Sequence, residues 1–261
     1  MSIRLICKVC EIPRSCIYQE PKKRAKYQVD EELAFRIRSI INQKSEYGLR
    51  RIVWKLNRET GVKVNRKKVH RIMKIKGWTM KKRPKGMRPR VKGWKSACDR
   101  PNQRWAIDTT HLHTQMDGHC SVTAIIDCCD RQIVGYRVSK SGKSVVAEAA
   151  LEDALIRRHP DSGLILRSDN GLVFGSKSFS KITRRAGIRQ EYITPYTPEQ
   201  NGMIERWFRT LKEECLWKNN FKTIEKARKA IDRFVLEYNH NRPHRALGML
   251  TPSEWREKYA A

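Results

Sequence analysis

Asp108, Asp169 and Glu205 are the acidic residues whose settings are hardest to explain structurally. Asp108 interrupts the apolar run Trp105-Ala106-Ile107, Asp169 follows Leu164-Ile165-Leu166-Arg167-Ser168, and Glu205 stands beside the stripe Ile204, Trp207, Phe208, Leu211. An acid within a buried strand is strongly disfavoured unless something pairs with it. Three carboxylates at the edges of buried elements also repel one another, and the usual neutraliser is a divalent cation with oxygen ligands. The chemistry this implies is metal-assisted phosphoryl transfer. Two Mg²⁺ ions about 3.5–4 Å apart, with Mn²⁺ as a substitute, activate the attacking oxygen and stabilise the leaving one. On this reading Asp108, Asp169 and Glu205 are both catalytic residues and metal ligands, and they converge once folded.

Chance triads are common among 27 acids in 261 residues, so local context has to discriminate. Asp169 closes a strand at its carboxyl end, where open α/β sheets place their ligands, and Asn170-Gly171 supplies a tight turn. Asp117, Asp127 and Asp130 fall at turns, which explains them adequately. Cys7-x-x-Cys10 has zinc-knuckle spacing without a second pair, so it is read as structural. His111 and His113 alternate onto the strand face opposite Asp108 and do not join its site.

Glu205 is placed by its helix. Ile204, Trp207, Phe208, Leu211 and Cys215 recur at helical spacing and must face a core, which sets Glu205, Arg209 and Lys212 together on an adjoining face. One carboxylate beside two cations suits a metal at one end and a phosphate-bearing strand along the other. An ordinary surface ion pair of Glu205 with Arg209 is the competing explanation. Thr197-Pro198-Glu199-Gln200 resembles a capping box, though Asn201-Gly202 can delay the helix start.

The elements around these residues change character along the chain. Residues 1–18 read as the end of a helix, a turn and the start of another, a helix-turn-helix cut short at Met1. Residues 30–44, with Leu33, Phe35, Ile37, Ile40 and Ile41, form a helix capped by Asp30; a second runs from Gly48 to Gly61, and a third from Asn65 to Ile75. The third carries Arg66, Lys67, Lys68 and Arg71 and is the candidate to enter a DNA major groove; a helical bundle with a solvated basic face is the plainer alternative. Residues 81–101 are a Pro/Gly-punctuated basic linker suited to lie along phosphates. Strands are expected over Arg104 to Thr114, His119 to Cys128 and Gln132 to Ser139 as a meander. A helix over Ser144 to Arg158, a strand from Leu164 to Ser168, a helix over Ser176 to Ala186 and a strand from Ile188 to Ile193 follow. A Pro-flanked loop then leads to the Glu205 helix.

Charge supports a polyanionic partner. The chain carries 56 basic and 27 acidic residues, net +29; residues 1–100 hold 30 Lys/Arg against 8 Asp/Glu, while the remainder hold 26 against 19. A basic front half joined to a near-ordinary back half reads as a grip on a catalytic body, and a ribosome-associated protein has similar composition. No run approaches the roughly 20 apolar residues of a membrane span, and no signal-peptide core is present, so a soluble, cytoplasmic protein with reduced thiols is expected.

The motifs together resemble a known family. Trp105-x-x-Asp108-x-Thr110, Ser168-Asp169-Asn170-Gly171, Pro195-x-x-Pro198-x-Gln200-Asn201-Gly202-x-x-Glu205-Arg206, Tyr238-Asn239-x-x-Arg242-Pro243-His244 and Tyr47-Gly48-x-Arg50-Arg51-Ile52 look like the OrfB transposases of the bacterial IS three insertion-sequence family, relatives of retroviral integrases. The resemblance spans nearly the whole chain. It implies a DDE triad of Asp108, Asp169 and Glu205, with Lys212, Arg209 and Arg206 on DNA. The implied fold is α/β: a ribonuclease H-like mixed five-stranded sheet, preceded by a small all-helical DNA-binding region and followed by a helical tail. The corresponding segments are residues 1–80, a linker 81–101, a core 102–218 and a tail 219–261. The implied reaction is cleavage at terminal inverted repeats followed by attack of the freed 3′-hydroxyl on another phosphodiester. DNA, both element ends and target, is the expected partner, together with an OrfA partner or fusion and a homo-oligomer on DNA. Arg167 departs from the pattern, standing where the family usually has His or Tyr. A non-catalytic DNA-binding regulator, or a nuclease of the same fold, are the alternatives.

Overall fold

Five helices open the computed structural model, which describes residues 2–18, 28–80, 98–194 and 198–259. The basic tract at 81–97 and the first residue of the proposed capping box lie outside the described residues. Two short helices, α1 (Ile3–Val9) and α2 (Ser15–Tyr18), come first. Asp30 caps α3 (Glu31–Gln43), its carboxylate accepting from the Leu33 amide at 3.0 Å. Helix α4 (Leu49–Thr60) stops at Gly61, whose φ of 67° is a conformation that glycine adopts without strain. Asn65 caps α5 (Arg66–Ile75) through the Lys67 amide.

Helices α3, α4 and α5 close on one small core built from Ala34, Ile37, Ile40, Ile52, Leu56, Val69, Ile72 and Met73. The expectation for Phe35 fails, because it is 76% exposed. Ala34, Ile37 and Ile40 already fill the inward stripe at three-residue steps, which turns position 35 outward. Arg66, Lys67, Lys68 and Arg71 all face solvent on α5.

The sheet begins with β1 (Arg104–Thr114), β2 (Gly118–Asp127) and β3 (Ile133–Ser139), an antiparallel meander. Helix α6 (Ser144–Arg158) crosses over to β4 (Ile165–Ser168), and α7 (Lys177–Arg185) to β5 (Arg189–Tyr192), both strands running parallel to β1. The sheet order is β3-β2-β1-β4-β5. A 3₁₀ turn over Pro198–Asn201 precedes α8 (Gly202–Glu214), so the helix begins at the delayed position. Helices α9 (Ile224–His240) and α10 (Pro252–Tyr259) complete the chain.

Strand alternation divides the core into two layers. Trp105, Ile107, Ile125 and Val134 pack against Ala147, Ala150, Leu151 and Ala154 of α6 and Phe179 of α7. Gly135 lets α6 approach this face closely: a Cβ there would lie 2.3 Å from the Ala150 carbonyl oxygen. On the other face Ala106, Val122, Ala124 and Ile126 pack against Ile204, Trp207, Phe208 and Leu211 of α8 and Ala227, Ile231, Val235 and Tyr238 of α9. Helix α9 therefore belongs to the same hydrophobic layer as α8.

The helical region is joined to this body by ion pairs: Lys44 to Glu237 (2.7 Å), Lys218 to Glu46 (2.8 Å), Arg51 to Glu214 (3.9 Å) and Arg58 to Glu254. All eight cysteines are free thiols. Among the described residues no helix is long and apolar enough to cross a membrane.

Candidate active site

The register of the sheet brings two of the three acids together. Strand β4 pairs with β1 at Arg104↔Ile165, Trp105↔Leu166 and Ala106↔Arg167. The same offset carried two residues further sets Asp169 alongside Asp108. Asp108 shares strand parity with Ala106 and Leu112, which face α8 and α9, so its carboxyl is directed to the layer that holds Glu205. Helix α8 fixes Glu205 by burying Ile204, Trp207, Phe208 and Leu211, which leaves Glu205 exposed and Lys212 half-buried two turns on.

These groups act on one another electrostatically. Desolvation is the main cause that raises the Asp108 carboxyl to about 6; the Thr109 amide opposes it, Asp169 and Glu205 add repulsion, and Lys212 offsets part of that. Asp108 Oδ1 accepts from the Thr109 amide at 2.7 Å, and Asp169 Oδ1 from the Gly171 amide at 3.0 Å. Gly171 is required by space: a Cβ there would stand 2.8 Å from Asp169 Oδ1. Among the described residues no three Asp, Glu, His or Cys side chains close into a cage for one ion. The acids thus share a face and a field, and each of the two aspartates accepts one neighbouring backbone amide.

The other sequence candidates separate cleanly. Arg209 bonds Glu213 at 3.0 Å, an i,i+4 pair on the exposed face of α8. Arg206 is exposed on the same helix. Lys68 is held by Asp30 at 2.7 Å within the helical region. His111 and His113 are exposed, the latter against His119.

Two features had no sequence signal. Asp127 and Asp130 are fully buried and do more than shape a turn. Asp127 accepts from the Asn102 amide (2.7 Å), Trp105 Nε1 (3.2 Å) and the Cys129 amide (2.8 Å). Asp130 accepts from the Gln132 amide and from buried Arg158, both at 2.8 Å. Arg167 is also buried; it bonds Glu191 on β5 (3.1 Å) and the Gln200 carbonyl (2.7 Å), which ties β4 to the turn that launches α8. It positions the Asp169 strand relative to the Glu205 helix.

Known proteins with this organisation decide the kinship. Integrase core domain models match residues 99–198 and 186–252, and an HTH-like domain model matches residues 28–86. "Putative transposase InsK for insertion sequence element IS150" of Escherichia coli (strain K12) is 28% identical over 265 residues, spanning 97% of this chain and 93% of that protein. "Transposase for insertion sequence element IS904" of Lactococcus lactis subsp. lactis (strain IL1403) is 27% identical, spanning 91% of this chain and 98% of that protein. The chain belongs to the integrase-core transposases of insertion sequences, and the IS three family fits it. A chain in the cryoEM structure of the simian T-cell lymphotropic virus intasome in complex with PP2A regulatory subunit B56 gamma aligns with a TM-score of 0.51 at 20% identity, over 80% of this chain and 70% of that one. That likeness establishes the ribonuclease H-like fold of the transposase. DNA transposition is its function, and a non-catalytic regulator is disfavoured.

Proposed function

We propose that this transposase cleaves DNA at the terminal inverted repeats of its element and joins the freed 3′-hydroxyl to a target phosphodiester, using Asp108, Asp169 and Glu205 as its catalytic carboxylates. The observation that carries the assignment is geometric: the β1–β4 register sets Asp169 beside Asp108 on the sheet face covered by the Glu205 helix, where the three carboxylates lie in one another's field and call for a counter-ion. An oxygen-only anionic donor set fits Mg²⁺, with Mn²⁺ as a substitute, and these three side chains would hold two such ions. When bound, the ions activate the attacking oxygen and stabilise the leaving oxygen of an in-line displacement.

The chain's own residues do the positioning. Lys212 lies within electrostatic reach of Asp108 and is placed to hold a strand phosphate beside the carboxylates. Arg206, with Arg209, extends that cationic edge along α8. Arg66, Lys67, Lys68 and Arg71 on α5 form the sequence-reading grip, and the basic composition of the linker sequence at 81–101 favours phosphate binding as well. Residues 1–80 then serve recognition, 102–218 chemistry, and 219–261 cover the sheet. An upstream OrfA partner or fusion completes the recognition of the ends, a homo-oligomer synapses them, and the reaction takes place in the cytoplasm.

The test incubates labelled element ends with the purified chain and Mg²⁺, with and without the upstream partner. Asp108→Asn, Asp169→Asn and Glu205→Gln are each expected to lose cleavage and joining while retaining DNA binding. Joining by any of the three variants at the parent rate removes that residue from the catalytic set.

A further inference from the structure

Segments from three of the motifs singled out in the sequence meet around one cavity beside the carboxylate site. Arg51 comes from the Tyr47-Gly48 segment on α4, Arg206 and Trp207 from α8, and Arg242 with His244 from the segment after α9. Arg131, at the β2–β3 turn, completes the lining of a space of about 260 Å³. Four guanidiniums thus border one cavity. Among the described residues Glu214 pairs with two of them, bonding Arg242 through Nε at 3.0 Å and lying 3.9 Å from Arg51, which also feels Glu46. Arg131 and Arg206 have no ion-pair partner among the described residues.

The wall also holds buried polar atoms without a hydrogen-bond partner among the described residues. Trp207 is 1% exposed, and its indole Nε1, Arg131 Nε and His244 Nε2 are such atoms. An indole N–H can only donate, and leaving a buried donor unsatisfied is unfavourable. His244 stacks edge-on against Tyr238 with centroids 4.7 Å apart, and burial together with Arg242, Arg51 and Arg131 pushes its pKa down to about 3. It therefore adds no charge of its own and leaves a lone pair for an O–H of the ligand or for a bridging water. A cavity with an excess of guanidinium forks and a dry indole donor is complementary to a tetrahedral oxyanion.

We propose that this cavity binds a backbone phosphodiester of DNA, as an anchor separate from the carboxylates. The proposal rests on the transposase reading for the identity of the ligand. Position is compatible with it: Arg206 is exposed on α8 next to Glu205 and lines the cavity, although the Trp207 wall lies on the other side of the helix from the Glu205 face. Arg51 brings the helical region to the same wall, which places the grip and the core on one strand.

The experiment uses the full chain with ¹⁵N-labelled indoles, Trp207 being assigned by the resonance missing in Trp207→Phe. Inorganic phosphate and a thymidine dinucleotide, which has one phosphodiester, are titrated separately. Expected is a saturable shift of the Trp207 indole N–H with both probes. Arg131→Gln and Arg206→Gln, both at side chains that reach solvent, should each weaken the dinucleotide by about tenfold, the effect of losing one charged hydrogen bond. A resonance that moves with neither probe overturns the site. One that moves with phosphate alone overturns the assignment to DNA, and unchanged affinities in both variants overturn the role of the arginines. Asp108→Asn should titrate like the parent. Because metal-dependent cleavage is read separately, failure of the carboxylate assignment and failure of this cavity remain distinguishable.

Discussion

Two clusters of carboxylates are built around the same sheet, and each contains an aspartate shifted toward the protonated form. Burial, with Asp130 beside it, raises Asp127 to about 6; burial, with Asp169 and Glu205 nearby, raises Asp108 to about 6. A raised pKa alone therefore does not separate a working site from scaffolding. Donors do. Asp127 and Asp130 together accept three backbone amides, an indole and a buried guanidinium, with Arg256 at 3.6 Å as a further cation. Asp108 and Asp169 each accept one neighbouring amide. The first cluster is closed by the protein's own groups, whereas Asp108 and Asp169 keep further oxygen lone pairs that no hydrogen bond among the described residues takes up.

Exchanging the consequences of mutation between the clusters is the sharpest way to break this comparison. Asp108→Asn should lower strand joining by at least about 10³-fold, comparable to removing a group that acts mainly on the transition state, with the fold intact by circular dichroism. Arg158→Met should do the reverse, lowering stability by about 3–5 kcal/mol because Asp130 loses its closest buried cation; urea denaturation measures it. If Asp108→Asn unfolds the chain while Arg158→Met leaves stability unchanged, the roles of the two clusters have been assigned the wrong way round.

A smaller effect concerns pH. A carboxyl whose folded pKa lies above its unfolded value binds its proton more tightly when folded. The stability due to Asp108 is therefore greatest below about pH 4 and falls as pH rises to about 6. In metal-free buffer Asp108→Asn should gain stability over the parent by about 1–3 kcal/mol between pH 4 and pH 7, discounted for partial exposure. Asp127 titrates in both proteins and cancels from the difference. A parent and variant that run parallel across this range would remove the repulsion at Asp108.

The smallest effect lies outside both clusters and serves as their control. Arg66→Ala and Lys67→Ala should each lower the salt dependence of DNA affinity by about 0.9 in the log–log slope, one released counter-ion per phosphate contact. Neither should alter the pH profile above. An unchanged slope in both variants would remove α5 from the DNA.

The sequence made most of the elements legible because their signals are local. Caps at Asp30, Asn65 and Ser176, and the stripe of α8, mark helices within a residue or so of where they lie. Asp108 and Asp169 could be picked out because a polar residue broke an apolar run. What escaped notice depends on partners distant along the chain. Arg158 looks like an ordinary basic residue at a helix end, and only the fold sets it against Asp130, 28 residues earlier. Arg167 looks like a tolerated departure, and only the pairing of β4 with β5 gives it Glu191. The aspartates' turn toward local amides is likewise invisible, because spacing predicts which side chains are neighbours and not where they point.

The ion pairs that fasten the helical region to the sheet have a consequence for measurement along DNA. Lys44, Glu46, Arg51 and Arg58 sit on or beside α3 and α4, and their partners on α8 to α10 or the turn between them belong to the same body as the carboxylates. On the proposed function, in which the helical region reads DNA and the carboxylates cut it, these ion pairs together act as calipers. The interval from recognised base to severed bond is then a dimension of the protein, and lengthening the fastening side chains or swapping their signs would move the cut along the helix without changing which sequence is read.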